Sequence, residues 1–340
     1  MPDNNANNNT VKNIAVLNFG GLGDNILFLP VINSLCELHP NARITWITET
    51  RSGGIQDLLP DQVIVEFISI QQESRLKLFF KLRQLLTSKK CDVVISSGSS
   101  PFIAVMLAST GIPIRVGYNT GIVSQLLLTQ AAPLDLKIYA SEMHYKLIEA
   151  YLNTIQPPLP IPPPQGGREQ NIIPSIQLSV KEKLPKSELP DASYIAIHPG
   201  VSLASIQKNI LKGWSVENWC ELTRQLLEQY PQHKLLLLGG PDDEAIITAI
   251  QKQLSESDLN RIVNYAGKTD TVAKLASILR QVKVLVCVDS APMHLAVALG
   301  TPVVPLFAPT DPFKLLPKAI AEQSVRRTDL PCQPCMFDVR

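Results

Sequence analysis

The fold is decided by the stretch IAVLNFGGLGDNILFLPVINSLCEL, residues 14–38. Its first part, Ile14–Phe19, is a short apolar run that is typical of a buried parallel strand. Glycines interrupt this run, and apolar side chains then recur at helical spacing from Asn25 to Leu38. Pro40 ends the helical pattern. A strand that passes through a glycine turn into a helix is the first unit of a parallel α/β sheet.

The same alternation of strand and helix continues along the chain and predicts a parallel sheet covered on both faces. In the first half, the further predicted strands are Arg43–Thr48, Val63–Ile68, Asp92–Ser96 and Arg115–Gly117. In the second half, the predicted strands are Tyr194–His198, Lys234–Leu238, Ile262–Tyr265, Val284–Val288 and Val303–Phe307, and the predicted helices are 215–230, 243–254, 271–280 and 292–299.

The prolines and glycines of residues 156–190 interrupt this rhythm and predict an extended linker. We therefore expect a disordered polar tail at 1–13, an N-terminal Rossmann-like domain at 14–155 and a C-terminal Rossmann-like domain at 191–340. Two such domains leave a cleft between the carboxyl edges of their sheets, where ligands of α/β proteins bind.

Composition and charge exclude several classes of protein. Lys and Arg number 31 against 30 Asp and Glu, so no excess of positive charge is available to bind a nucleic-acid backbone. No apolar run approaches the roughly 18 residues that span a bilayer, and the first ten residues do not resemble a signal peptide. Four of the six cysteines lie inside apolar runs, as reduced thiols of a cytoplasmic protein do. We expect a cytoplasmic monomer.

The first candidate site residue is Asp24, which follows the glycine-rich turn Gly20-Gly21-Leu22-Gly23. Glycines allow the backbone to approach a ligand, and the amides of a helix start attract anions. The turn is not a dinucleotide fingerprint, because Ile26 stands where the third glycine would be. Asp24 has two roles open to it, as a helix cap and as a catalytic carboxylate facing the cleft.

The second candidate site is the segment 284–302, VLVCVDSAPMHLAVALGTP. A strand ends at Asp289, Ser290 is a candidate N-cap, and a helix follows that Gly300 closes. The free backbone amides at the start of this helix predict a binding site for a diphosphate. His294, one turn into the helix, is either a ligand for phosphate or sugar or a histidine satisfied within the fold.

Two further strand ends carry polar residues towards the same cleft. The first is His198-Pro199-Gly200, followed by Lys212, whose ammonium could neutralise a phosphate or simply remain in water. The second is Gly239-Gly240-Pro241, followed by Asp243 and Glu244, either of which suits a nucleoside hydroxyl, although acids also stabilise a first helical turn.

In their order along the chain these segments resemble glycosyltransferase family 9, the ADP-heptose heptosyltransferases. The resemblance extends from about Ile14 to Cys335. It depends on Gly23-Asp24, Arg115-Val-Gly117, His198-Pro-Gly200, Lys212-Gly-Trp214, Gly239-Gly-Pro241, Asp289-Ser-Ala291 with His294, and Thr301-Pro302. It implies a GT-B fold and an inverting transfer, without metal or other cofactor, from an ADP-sugar to a lipopolysaccharide-core or other glycan acceptor.

The resemblance also implies roles for individual residues. Asp24 corresponds to the candidate base that activates the acceptor hydroxyl, and Lys212 to a contact with the donor phosphates. Asp289, Ser290, Ala291 and His294 correspond to the diphosphate and sugar site, and Asp243 or Glu244 to the acid that binds the ribose. The family usually has Thr and Gly where this chain has Ser290 and Ala291, which could alter the donor. A sugar-nucleotide epimerase of the same fold and an inactive sugar-nucleotide-binding homologue are the alternatives.

The segment 75–86 predicts an amphipathic helix. Leu78, Phe79, Leu82, Leu85 and Leu86 lie on one face, and Lys77 and Lys81 lie on the other, where Phe80 also stands. The helix either packs on its own sheet or contacts the surface of the inner membrane peripherally, where it would meet a lipid-linked acceptor.

Overall fold

The first strand, β1 (Asn13–Leu17), lies near the centre of a six-stranded parallel sheet in the computed structural model. The model describes residues 11–70, 73–155 and 189–336, and between the last two ranges only 173, 175, 182 and 184–187. Most of the predicted linker and the first ten residues lie outside this part. Lys12 and Asn13, which the predicted tail included, are part of the fold, because their backbone amides donate hydrogen bonds to the Asp92 carboxylate and Asn13 begins β1.

The first half of the chain forms one sheet of strand order β3-β2-β1-β4-β5-β6, in which every pairing is parallel. Its strands are β1 (Asn13–Leu17), β2 (Arg43–Glu49), β3 (Val63–Ile68), β4 (Val93–Ser96), β5 (Ile114–Tyr118) and β6 (Gln130–Ala132). Its helices are α1 (Leu22–Leu38), α2 (Arg75–Ser88), α3 (Pro101–Ser109), α4 (Ile122–Leu127) and α5 (Ala140–Ile155), with 3-10 turns at Thr50–Ser52 and Ile55–Leu58.

The second half repeats this architecture with the order β12-β11-β10-β7-β8-β9, again all parallel. Its strands are β7 (Tyr194–His198), β8 (Lys234–Leu237), β9 (Ile262–Asn264), β10 (Val284–Val288), β11 (Val303–Phe307) and β12 (Val325–Arg326). Its helices are α6 (Leu203–Gln207), α7 (Val216–Gln229), α8 (Glu244–Lys252), α9 (Glu256–Leu259), α10 (Val272–Leu279), α11 (Ala291–Leu299), α12 (Pro312–Leu315) and α13 (Lys318–Ala321), with a 3-10 turn at Pro241–Asp243.

Both sheets reverse their strand order at one internal pair, between β1 and β4 in the first and between β7 and β10 in the second. At such a switch point the loops leave the sheet in opposite directions and open a crevice at the carboxyl edge. The glycine turn before α1 leaves the sheet at the first switch point. The loops after β7 and β10 leave it at the second. The loops after β1, β7 and β10, which carry candidate site residues, therefore lie at the crevices that the strand order creates.

The hydrophobic core covers both faces of each sheet, as the unbroken apolar strands predicted. Ile14, Ala15, Val16 and Leu17 of β1 are fully buried, since β1 has a strand on either side and helices above and below. Helices α1 and α5 pack on one face of the first sheet, and α2, α3 and α4 on the other. The core also joins the two halves, because α1 contacts α11.

The cysteines divide as the sequence predicted. Cys36, Cys91, Cys220 and Cys287 are buried, and burial raises the pKa of the Cys36 thiol to about 11, which suppresses its reactivity. Cys332 and Cys335 are exposed. Among the described residues, no helix has both the length and the apolar character needed to cross a bilayer.

Candidate active site between the two sheets

Asp24 lies at the start of α1, at the carboxyl edge of the first sheet. Gly21 is the N-cap residue, and Asp24, the third helical residue, caps the helix start as predicted, through its side chain. Its Oδ2 atom accepts a hydrogen bond of 2.8 Å from the Gly21 amide, while the side chain is exposed. Asp24 thus stabilises the helix start and also presents a carboxylate to the cleft.

The glycines of this turn are required by close packing. A Cβ atom on Gly20 would lie 2.5 Å from the Cβ atom of Asp24, which no real pair of carbons tolerates. A Cβ atom on Gly23 would lie 3.0 Å from Cδ2 of His294 and 3.7 Å from Cα of Ala291. The start of α1 therefore meets the start of α11 directly, and the two halves of the chain approach each other at the candidate site.

Lys212 and Asp289 form an ion pair on the second half of the site. Lys212 Nζ lies 2.6 Å from Asp289 Oδ2, and the two side chains are 17% and 5% exposed. The Thr310 hydroxyl donates a hydrogen bond of 2.8 Å to the same carboxylate oxygen. A buried carboxylate needs partners of this kind. Thr310 was missed by sequence reasoning, since nothing near it in the chain indicates its partner.

His294 is buried between charged groups of both halves. Burial lowers the pKa of its imidazole, and the charge of Lys212 acts in the same direction. The carboxylates of Asp289 and Asp24 act in the opposite direction but do not outweigh burial. The ring is therefore neutral at neutral pH and can donate through one nitrogen and accept through the other.

Asp243 is enclosed by the turns that follow β7 and β8. Its Oδ2 atom accepts a hydrogen bond of 2.9 Å from the Gly240 amide and lies 3.6 Å from Nε2 of His198. A Cβ atom on Gly200 would lie 2.0 Å from Oδ1 of Asp243, and one on Gly239 would lie 2.7 Å from its Cβ atom. Glycine is required at both positions because the Asp243 side chain occupies the space.

Glu244 differs from Asp243 in its surroundings. It is the first residue of α8 and is exposed. Its Oε1 atom lies 3.0 Å from the place where a Cβ atom of Gly267 would stand, so it borders the loop after β9. The carboxylate of Glu244 is therefore more accessible to a ligand than that of Asp243.

Ser290 occupies the N-cap position of α11, as predicted, but its side chain makes no capping hydrogen bond. Its hydroxyl donates to the Val288 carbonyl at 3.2 Å and lies 3.5 Å from Nδ1 of His198. Pro292 lies in the first turn of the helix and Gly300 ends it in the left-handed conformation, both as predicted. Because the Ser290 side chain turns away, it does not fill the space at the start of α11.

A second ion pair, between Arg51 and Glu49, lies on the first half and was also missed from the sequence. Arg51 follows β2 and donates two hydrogen bonds, of 2.6 and 3.1 Å, to the buried carboxylate of Glu49. The hydrogen bond to Glu49 raises the pKa of the Arg51 guanidinium, and the charge of Asp24 adds a smaller contribution. An ion pair between Arg51 and Glu49 therefore stands near the candidate base.

The chain matches the model of glycosyltransferase family 9 (heptosyltransferase) over residues 79–339. Lipopolysaccharide heptosyltransferase 3 of Escherichia coli is 21% identical over 308 residues, which cover 85% of this chain and 81% of that protein. Lipooligosaccharide heptosyltransferase 2 of Haemophilus influenzae is 30% identical over a shorter stretch, 30% of this chain and 28% of that protein. Asp24 lies before the residues that the family model matches.

Solved structures share the fold. A family 9 glycosyltransferase from Veillonella parvula superposes with a TM-score of 0.67 at 18% identity, covering 93% of this chain and 85% of that one. The ADP-heptose lipopolysaccharide heptosyltransferase II of E. coli superposes with a TM-score of 0.65 at 22% identity, covering 93% and 90%. With two parallel six-stranded sheets in the GT-B arrangement and a family match over most of its length, the chain belongs to glycosyltransferase family 9 and is a nucleotide-sugar glycosyltransferase.

Proposed function

We propose that this glycosyltransferase transfers a heptose or a related sugar from an ADP-sugar to a lipopolysaccharide-core or other glycan acceptor. The donor would bind the second half of the cleft, and the acceptor the first half. One observation carries the proposal: the exposed Asp24 carboxylate stands at the start of α1, where Gly23 contacts His294 and Ala291 of the opposite half. The relatives named above support the class of sugar, acceptor and nucleotide.

In the proposed reaction, the Asp24 carboxylate takes the proton from the acceptor hydroxyl. The acceptor oxygen attacks the anomeric carbon of the sugar from the face opposite ADP, so the configuration inverts and the bond to the diphosphate breaks. Asp24 is exposed in this structure, and the bound substrates would supply the desolvation that strengthens it as a base. The hydrogen bond from Gly21 fixes one carboxylate oxygen.

The departing diphosphate needs positive charge and hydrogen-bond donors. Lys212 would supply the charge, and the start of α11 the donors, at Ser290 and Ala291. We propose that these groups suffice without a metal ion. Asp289 holds Lys212 in place through the ion pair, and neutral His294 is placed to hydrogen-bond the sugar or a phosphate oxygen.

Glu244 is the better candidate for the ribose, because Asp243 already accepts a hydrogen bond from the Gly240 amide and is enclosed by two glycines. We expect Glu244→Gln to raise the KM for the donor about tenfold with little change in kcat, since a hydroxyl–carboxylate hydrogen bond contributes about 1.5–3 kcal/mol. The matched control is Asp242→Asn, which alters an exposed neighbouring acid. Equal donor KM values for the two variants would remove Glu244 from the ribose site.

A transfer assay tests the function itself. We expect ADP-heptose to raise the melting temperature more than UDP- or GDP-sugars, transfer to a core acceptor in the presence of EDTA, and a product of inverted anomeric configuration by NMR. Release of free nucleotide from the donor without any acceptor would instead identify an epimerase. Tight donor binding without transfer to any glycan would identify an inactive homologue.

We further propose that helices α2 and α4 contact the membrane that carries a lipid-linked acceptor. The predicted buried face of α2 is confirmed, with Leu82 and Leu86 buried in the sheet packing. Its other face leaves Leu76 and Phe80 exposed at 67% and 59%, and α4 leaves Ile122 and Leu126 exposed at 76% and 77%.

Charge supports the same contact. Helix α2 contains four basic residues and no acidic one, a composition that favours the surface of an anionic bilayer. Helices α2 and α4 both pack, with α3, on one face of the first sheet. Each of the two begins after the carboxyl end of a strand, at the edge of the sheet where Asp24 also lies, although α1 itself packs on the other face.

Vesicle flotation tests this contact. We expect the protein to float with vesicles that contain phosphatidylglycerol but not with phosphatidylcholine alone, and to be released by salt. The double variant Phe80→Ser/Leu126→Ser should remain at the bottom of the gradient. Leu211→Ser, which removes an equally exposed apolar side chain from the other half, should float like the parent protein. If the protein failed to float with the vesicles that contain phosphatidylglycerol, the membrane contact would be rejected.

A further inference from the structure

A continuous set of polar side chains is buried beneath the start of α1. Asn18 follows β1, Thr48 lies at the end of β2, and Ser97 follows β4, so three adjacent strand ends contribute. Asn25, the residue after Asp24, stands among them and is fully buried, as is Thr48. These residues lie outside the groups that the proposed reaction uses, which raises the question of why they are polar.

The side chains form an unbroken series of hydrogen bonds. Ser97 Oγ donates to Asn18 Oδ1 at 2.5 Å, and Asn18 Nδ2 donates to Asn25 Oδ1 at 2.7 Å. Asn25 Nδ2 then donates to Thr48 Oγ1 at 2.8 Å. Thr48 Oγ1 lies 3.1 Å from Ser52 Oγ, and Ser52 Oγ donates to the Glu49 carbonyl at 2.5 Å. We call this series, from Ser97 to the Glu49 carbonyl, the polar chain.

The polar chain has one direction. Its last acceptor is a backbone carbonyl, which cannot donate, so Ser52 must donate to it and must accept from Thr48. Thr48 then accepts from Asn25, and Asn25 from Asn18. Hydrogen bonds aligned in this way polarise one another and become stronger together. Each amide has one orientation that satisfies its neighbours, so the position of Asn25 is fixed from both sides.

Fold stability alone does not explain these residues. Buried polar groups that are fully hydrogen-bonded contribute little more than apolar side chains of the same shape, and loss of one partner leaves the next unsatisfied. The effect of the polar chain is to fix the first turn of α1 relative to the ends of β1, β2 and β4 through directional hydrogen bonds.

Both charged groups near the reacting hydroxyl depend on this anchor. Asp24 precedes Asn25 directly, and among the described residues its carboxylate accepts a hydrogen bond from the Gly21 amide of its own helix start. At the other end of the polar chain, Glu49 accepts from Ser52 through its carbonyl and from Arg51 through its carboxylate. The placement of Asp24 and of the neighbouring Arg51 is therefore coupled through Asn25 and Thr48.

We propose that Asn25 and Thr48 are positioning residues that hold Asp24 against the acceptor hydroxyl through the polar chain. This inference rests on the proposed role of Asp24 as the base. Displacement of a catalytic group by about 1 Å can cost on the order of 10²-fold in rate, so loss of one link reduces turnover without touching the donor site. Thr48 is the residue to change, since valine has its shape and serine keeps its hydroxyl.

The test compares Thr48→Val with Thr48→Ser and with Thr45→Val, which makes the same change at a buried position of the same strand outside the polar chain. We expect Thr48→Val to lower kcat at least tenfold with the donor KM unchanged. Thr48→Ser should stay within about threefold of the parent. Thr45→Val should also keep the parent kcat. Circular dichroism and donor calorimetry establish that each variant is folded and binds the donor.

A double-mutant cycle with Asp24→Asn separates positioning from stability. If Thr48 acts through Asp24, Thr48→Val should add no further loss to the residual rate of Asp24→Asn. An equal loss of kcat in Thr48→Ser and Thr48→Val, a similar loss in Thr45→Val, or full additivity with Asp24→Asn would each overturn the inference. Near-parental turnover of Asp24→Asn itself would instead overturn the proposed function.

Discussion

Asp24→Asn is expected to lower kcat by about 10²–10⁴-fold, the range that a positioned general base contributes. The asparagine oxygen can still accept the hydrogen bond from the Gly21 amide, so the start of α1 and the donor site should be preserved. What the variant loses is the ability to take a proton from the acceptor hydroxyl. Steady-state kinetics and donor calorimetry measure the two properties separately, and the donor Kd should be unchanged.

The matched control is Asp135→Asn, which changes an exposed acid of the same half whose carboxylate also accepts a backbone hydrogen bond. It should retain the parental kcat. If Asp24→Asn turned over within a few fold of this control, Asp24 would have no part in the reaction. The base would then have to be sought elsewhere on the acceptor half.

Lys212→Met is expected to lower kcat/KM by about 10²–10³-fold, the effect of removing one preorganised group that stabilises developing charge. Methionine keeps most of the side-chain length but not the ammonium. We expect the lower kcat/KM to result from slower departure of the diphosphate. The variant also leaves the buried Asp289 carboxylate with Thr310 as its remaining named partner, which lowers the melting temperature.

Two controls separate these effects. Lys208→Met removes an exposed lysine from the same loop and should leave both kcat/KM and the melting temperature unchanged. Lys212→Arg keeps the charge and should retain more activity than Lys212→Met. Assays well below the melting temperature of each variant exclude unfolding as the cause. A kcat/KM for Lys212→Met close to that of Lys208→Met would contradict a role for this lysine at the diphosphate.

The periodicity of the sequence predicted most of the fold. Strands β3, β7, β10 and β11 have the predicted bounds, and the other predicted strands differ by one or two residues. Strands β6 and β12 were missed because they have only three and two residues and lie at sheet edges, where a short segment leaves little periodic signal. Helix α1 begins three residues before the predicted start, since glycines weaken the helical signal there.

The candidate site was predicted in part. The predicted site residues follow the ends of strands, and a parallel sheet brings the carboxyl ends of its strands to one edge. Asp24 and the segment at Asp289 could therefore be predicted from the alternation of strands and helices. The pattern indicated caps at both helix starts but not their geometry. Asp24 caps α1 from the third helical position, and Ser290 occupies the N-cap position of α11 without a capping hydrogen bond, because cap geometry depends on backbone angles that no periodicity records. The proposed preference for Glu244 over Asp243 rests on the two glycines that enclose Asp243, which the sequence alone did not indicate.

The sequence by itself determined two parallel α/β sheets, the turns that leave them and the residues that those turns carry, because periodicity and glycine act over a few neighbouring positions. Only the tertiary structure decided the partners: Lys212 with Asp289 and Thr310, and Asn25 with Asn18 and Thr48. These partners are set by strand order and by the approach of α1 to α11. Contacts between residues far apart in the chain leave no local pattern, so a single sequence does not contain them in readable form.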